Sequence, residues 1–320
     1  MKLNIFTKLL GTFLLTISMV SASTLTELQG TKGLAEADLK AMIKKLDKTP
    51  FKTIFTNERV DNKYYKSYKE KNLDLLNFYT IADIKALREL LIANPDFAAY
   101  APFTILAYKN LKKEKDSDTT WYGHLATTTM LNIIGEKDKT LREKFETMVA
   151  KLDSFISKEL KPTESKKFTF TNPLPKEPLQ KMTKDVSDID DFEDYAEEFM
   201  MEYHSIFVDN HFIPGGFYDF KIGYEDLNLK FEQYDAFWVA PICHLEFTNT
   251  IFNRGIPQAG VLAPCTIYFY VPKGSGKLHV GYAKLDNWTA TANIRDKDKL
   301  AGIKKTSDLM VKLFGELGFE

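Results

Sequence analysis

Two cysteines carry most of the chemistry this chain could perform. Cys243 and Cys265 are its only thiols, 22 residues apart. Trp238 to Ile242 and Cys265 to Val271 are apolar, aromatic and β-branched runs that read as strands, with a helix expected between them. A crossover of that kind brings one strand's end beside the other's start, so the thiols are expected to be neighbours. Three roles suit such a pair. The thiols can pack as small apolar side chains, form a disulfide or redox-active pair, or join a histidine around a soft metal ion. The spacing is not Cys-x-x-Cys, which argues against a thioredoxin-type motif and c-type haem attachment.

The ligand, redox or metal candidates are therefore Cys243 and Cys265, accompanied by His244 and His204. His244 directly follows Cys243, so on a strand its side chain aims at the opposite face. His204 reaches the thiols only if its helix packs over that sheet edge. No catalytic residue and no cofactor beyond a soft metal ion is indicated. Gly-x-Ser-x-Gly, His-Glu-x-x-His and Walker patterns are all missing from the sequence. The acidic run Asp190, Asp191, Glu193, Asp194, Glu197 and Glu198 reads as a solvated helix face. Lys63-Tyr-Tyr-Lys-Ser-Tyr-Lys69 reads as a strand edge guarded by lysines. Pro272-Lys-Gly-Ser-Gly-Lys277 reads as a hairpin turn rather than a phosphate loop.

The elements that must position the thiols repeat. Ala101-Pro-Phe-Thr-Ile-Leu-Ala-Tyr108 returns as Ala263-Pro-Cys-Thr-Ile-Tyr-Phe-Tyr270, a spacing of 162 residues. Pro95 and Pro257, and Met148-Val149 and Met310-Val311, match at the same spacing. A period near half the length implies two copies of one fold. Within the echo Phe103 becomes Cys265, and Ile81 falls at the Cys243 position.

Residues 1 to 22 read as a signal peptide. Lys2 and Lys8 precede the apolar stretch Leu9 to Val20, and Val20-Ser21-Ala22 offers cleavage after Ala22. The expected location is periplasmic or secreted, with no membrane span after removal of that segment. Losing two lysines and no acids moves the formal charge from −1 to −3. That balance gives no general attraction to nucleic acid or anionic membranes. A small molecule or a protein remains as partner. The remainder, 44% hydrophobic and 13% aromatic over the full chain, suffices for two domains with proper cores.

Each half is expected to alternate helices and strands. In the first, helices fall on Leu39 to Leu46, Ile84 to Leu91 and Leu141 to Leu152, and strands on Phe51 to Phe55, Phe103 to Tyr108 and Trp121 to Leu125. In the second, strands are expected at Phe168 to Thr171, Phe217 to Ile222, Leu227 to Phe231 and Leu278 to Tyr282, beside the two cysteine strands. A helix capped by Ser187 or Asp188 carries Ile189 to Tyr203, and another carries Leu300 to Leu317. Pro162, Pro173, Pro175 and Pro178 mark a linker, with the boundary near residue 161. The domains expected are 1–22, 23–160 and 161–320. The fold class is α/β, an α+β two-layer sandwich in two tandem copies.

Pro241-Ile-Cys-His-Leu-Glu-Phe247 and Ile256-Pro-Gln-Ala-Gly-Val-Leu-Ala-Pro-Cys-Thr-Ile-Tyr-Phe-Tyr-Val271 together resemble the domain of unknown function 302 family. That family carries a Cys-Asn-Pro segment, a helix, a Leu-Pro-Cys segment opening a strand, and a glycine hairpin. Cys243, Ala263-Pro264-Cys265, and Gly274 with Gly276 occupy those positions, with His244-Leu245 in place of Asn-Pro. The resemblance spans about residues 165 to 315, and makes the first half a degenerate relative lacking both cysteines. It implies a compact α/β fold that tends to dimerise, so that a tandem pair would be a pseudo-dimer in one chain. It implies no activity. The function expected is ligand or soft-metal binding, or redox sensing, at the cysteines. The alternatives are an interaction protein using the groove between copies, and a thiol-dependent oxidoreductase.

Overall fold

The structure, a computed structural model, describes residues 22–46, 48–111 and 116–320. The expected signal peptide lies outside the described residues, Ala22 excepted. The first half runs β1 (Ser23–Lys32), α1 (Glu36–Leu46), β2 (Phe51–Asn57), α2 (Val60–Tyr68), β3 (Leu73–Asp83), α3 (Ile84–Ala93), a 3₁₀ turn (Pro95–Ala99), β4 (Phe103–Asn110), β5 (Thr119–Gly123), α4 (Thr127–Ile133), α5 (Lys139–Leu160) and β6 (Glu164–Phe170). The second runs β7 (Leu179–Asp185), α6 (Phe192–Asp209), β8 (Phe212–Pro214), β9 (Tyr218–Asp219), α7 (Phe220–Asp226), β10 (Tyr234–His244) and α8 (Leu245–Thr248). After a π turn (Asn249–Asn253) and a 3₁₀ turn (Pro257–Leu262) come β11 (Cys265–Pro272), β12 (Lys277–Ala283), α9 (Asp286–Thr291) and α10 (Lys297–Glu316).

Two antiparallel sheets result, both carrying packed helices, as the α/β reading expects. Their orders correspond: β2-β3-β4-β5-β1 in the first, with β6 outside β1, and β8-β10-β11-β12-β7 in the second, with β9 also on β10. The first sheet thus takes its last strand from beyond residue 161, and β7 opens the second.

On one face of the second sheet, Trp238 and Phe269 pack against Phe199 of α6, and Phe314 of α10 covers Phe269. On the first sheet Phe103 meets Phe145 of α5 at 5.4 Å. On its other face the second sheet carries α7, with Phe220 5.7 Å from Phe237, and meets the first half. The turn Pro95–Ala99 sits on β11, and the turn Pro257–Leu262 sits against β4. In the first contact the Tyr268 hydroxyl donates to Asp96 Oδ1 at 2.7 Å, while Lys181 Nζ holds Oδ2 at 2.5 Å. In the second, Gly260 lies against Leu106, so close that a Cβ there would fall 2.8 Å from its Cδ1.

Several elements differ from the sequence reading. The Lys63–Lys69 segment is helix α2, not a strand edge: Val60 and Tyr64 are buried one turn apart, and Asp61 accepts the Leu76 N–H. Of Phe217–Ile222 only Tyr218–Asp219 is strand (β9, on β10), because Asp219 then caps α7 by accepting the Ile222 N–H at 3.0 Å. Phe220 and Tyr224 then bury the same helix face. Leu227–Phe231 is irregular. Helix α6 is capped by Asp191, which accepts from Glu193 and Asp194, rather than by Ser187 or Asp188. Strands β1 and β7 have no counterpart in the expectation.

Tyr268→Phe tests the junction. Removing a buried donor from a carboxylate destabilises by about 1–3 kcal/mol, read as a lower urea midpoint with unchanged slope. An unchanged midpoint would show that the Asp96 contact contributes nothing.

Candidate functional site

The cysteines lie on adjoining strands, as their spacing predicts. Cys265 is the ladder partner of Ile242, one residue before Cys243. Alternation therefore sends the two side chains to opposite faces of the sheet. Cys265 shares its face with Ile242, His244 and Phe212, towards α6 and α10. It is close enough to Tyr203 and Tyr282 to act on their hydroxyls. Cys243 turns towards the first half, where it bears on Tyr64 of α2 and feels Lys63. Both thiols are free.

A cavity at the strand ends is lined by both cysteines together with His244, Trp288, Thr306 and Met310. It measures about 10 Å³, the space of a single water. Burial pushes the Cys243 thiol up to about 11, against the pull of Thr248 and Lys63. Burial and the neighbouring Cys243 push Cys265 up to about 12. Both are held as thiols near neutral pH, so a thiolate forms there only at the cost of that shift or with a cation to displace the proton.

The candidate histidines do not complete a ligand set. His244 caps α8: its Nδ1 accepts the Phe247 N–H at 3.2 Å. Burial keeps the ring neutral, so its one proton sits on Nε2 and neither nitrogen has a free lone pair. His204 lies on α6 beside Tyr203, outside the cysteine cavity, with its buried Nε2 unpartnered. Among the described residues no cluster of three or more His, Cys, Asp or Glu could hold a metal ion. The sequence reading overlooked Met310, whose thioether borders the same cavity as the thiols. It also overlooked Tyr64 and Tyr100, which the first half contributes near Cys243 and Cys265.

The ladder shifts the match between halves. Ile81 pairs with Phe103 as Ile242 pairs with Cys265. The residue in the place of Cys243 is therefore Ala82, not Ile81, because the strand offset is 161 where the echo has 162. By the same offset Asp83, which caps α3 by accepting the Ala86 N–H, stands where His244 caps α8.

A much larger opening lies where the halves meet. Asn72, Tyr108, Asn110 and Lys166 face Asn253, Arg254 and Gln258 around a groove of about 530 Å³. Asn253 Oδ1 accepts the Asn72 N–H at 2.9 Å, and Arg254 forks onto Glu70 at 2.8 and 2.6 Å. Lys166 pairs with Asp116 at 2.5 Å and lies 4.1 Å over the Trp121 ring. Among the described residues neither the Tyr108 hydroxyl, which lies near enough to feel the Asp116 carboxylate, nor the Gln258 amide makes a hydrogen bond. The groove thus offers amide and hydroxyl groups with its charges already paired.

No family model matches this chain, and no curated protein matches it. Among solved structures it is similar to an uncharacterized conserved protein DUF302 from Bacillus stearothermophilus. The match has 13% identity and a TM-score of 0.32, and covers 42% of this chain and 95% of the other.

The thiols give a direct measurement. With one titrating near 11 and the other near 12, aromatic-disulfide reagent at pH 8 reacts with the native protein at least a few hundredfold more slowly than with a free cysteine, roughly the ratio of thiolate fractions. Denaturant releases two equivalents at once. Rapid native reaction would contradict the protonated state.

Proposed function

We propose that this chain is an exported, non-catalytic binding protein made of two copies of one α/β fold, and that its groove between the copies takes a small polar molecule. The observation that carries this reading is the groove itself: about 530 Å³, lined from both halves, with the Tyr108 hydroxyl and Gln258 amide unengaged. Polar groups fixed by partners on the walls and two left open suit a neutral, hydrogen-bonding ligand. Duplication is supported by the corresponding strand orders and by the reciprocal seating of each 3₁₀ turn on the other half's strand. A two-fold dimer makes contacts of this kind, here between halves of one chain. On this reading the halves divide between β6 and β7.

Export rests on the signal-like segment ending at Ala22, and is favoured by β1 beginning at Ser23. Among the described residues no helix is long and apolar enough to cross a membrane. Protein recovered from the periplasm or medium of an expressing cell is expected to begin at Ser23 by N-terminal sequencing. Retention of residues 1–22 in the cytoplasm would remove the export reading. Native mass spectrometry of that material is expected to reveal a non-covalent adduct that Gln258→Ala and Tyr108→Phe diminish. Bare protein, or an adduct indifferent to both changes, would defeat the groove.

A second reading keeps the cysteines as a soft-metal or redox site. It is favoured by the presence of two thiols and the Met310 thioether around one cavity. Thiols that stay free in protein from the periplasm, with no bound metal by elemental analysis, would eliminate it.

A further inference from the structure

A second large cavity, of about 480 Å³, lies wholly in the first half, between α4, α5 and the sheet face at β1 and β6. His124 stands in its wall with both ring nitrogens engaged. Nδ1 lies 2.7 Å from the Leu125 carbonyl, and Nε2 lies 2.8 Å from Asp153 Oδ1. A carbonyl and a carboxylate both accept, so the ring donates to both only as an imidazolium, the form these contacts favour. Burial opposes that charge, but the Asp153 carboxylate and the Leu125 carbonyl outweigh it and raise the ring's pKa. The charged ring ties the end of β5 to the middle of α5, and fixes Asp153 at the cavity.

On the sheet side stand Glu27 and Lys167, direct partners in the β1–β6 ladder. Both are exposed, and neither makes an ion pair or a side-chain hydrogen bond among the described residues. Directly opposed residues hold their Cβ atoms roughly 5 Å apart, so one wall presents an open carboxylate beside an open ammonium. With His124 and Asp153, the titratable groups facing the cavity are two anions and two cations, and the Tyr122 phenol is engaged by Thr31. A ligand with net charge leaves this balance broken; a neutral ligand with separated charges matches it.

We propose that this cavity binds a small zwitterion, a free amino acid or a molecule of the same chemistry, with its ammonium at Glu27 and its carboxylate at Lys167. Tyr122 and Ile156 give its side chain an apolar floor. This site is independent of the groove between the halves.

The test uses the full-length mature chain and the proteinogenic L-amino acids as probes, each compared with its amide, which lacks the carboxylate, and its N-acetyl form, which lacks the amine. Thermal-shift screening followed by calorimetry is expected to find at least one amino acid that binds, with both blocked forms weaker by about tenfold or more. Glu27→Gln and Lys167→Met are exposed changes that leave the free protein's melting unchanged, and each is expected to weaken binding by about tenfold. The proposal is overturned if no amino acid binds, if blocked forms bind as well as free ones, or if both variants bind like the parent.

Discussion

The central strands of both sheets are buried on successive residues, not alternate ones, and the whole arrangement depends on that. Along β3 every residue after Asp74 is buried, and along β10 the same holds from Ala236 to Ile242. An antiparallel strand with one solvated face would alternate. Helices α6 and α10 cover one side of the second sheet, and its other side is covered by α7, through Phe220 on Phe237, and by the first half. On that side Phe237 packs against Phe220 of α7 and Phe231, while Pro241 lines a crevice with Phe55 and Phe78 of the first half. The junction is therefore a core rather than a docking of finished domains, and its polar members are placed accordingly. Asp96 is tolerated there because Tyr268 and Lys181 both reach it.

That constraint also decides which cavities have any size. Where strand and turn interlock, as Leu106 does with Gly260, no space remains. Openings of several hundred Å³ survive at the rims, where the π turn leaves β3 and β4 uncovered and where α5 parts from β6. Both are lined by amides, hydroxyls and charges because water reaches them. The cysteine cavity lies instead inside the second half, closed in by Leu285, Trp288, Thr306 and Met310, and is small.

Much of this was legible in the chain. The echo around Ala101–Tyr108 marks two strands that occupy corresponding ladders, and the helices with strong apolar periodicity stand where expected. What escaped had ambiguous periodicity. Phe220, Ile222 and Tyr224 alternate as a strand would, yet Phe220 and Tyr224 also lie four apart; the Asp219 cap was the signal that favoured a helix. Tyr64 and Tyr68 likewise fit one helix face, but the lysines between them drew attention to an edge. Strands β1 and β7 are polar and threonine- or lysine-rich, with β7 at a sheet edge, where little apolar pattern is needed. The cysteine spacing correctly implied adjoining strands. It could not reveal that a one-residue stagger turns the thiols to opposite faces, which only the ladder register decides.

The asymmetry between Phe103 and Cys265 then has a physical reading. Phe103 is almost fully buried and packs on Phe145, which in turn meets Phe97 at 5.3 Å. Cys265 holds the corresponding ladder position with a side chain of a few atoms, so the space a ring fills in the first half is only partly filled in the second. Met310 and Trp288 close most of that deficit, and about 10 Å³ is left. A space of that size follows from exchanging a ring for a thiol and needs no ligand to explain it. It admits an atom-sized guest at most, whereas the rim openings, arising from where the layers part, have the volume and the unengaged polar groups that a molecule requires. The position of Cys265 is accordingly packed differently from that of Phe103 in the other sheet, and the room for a molecule lies at the rims.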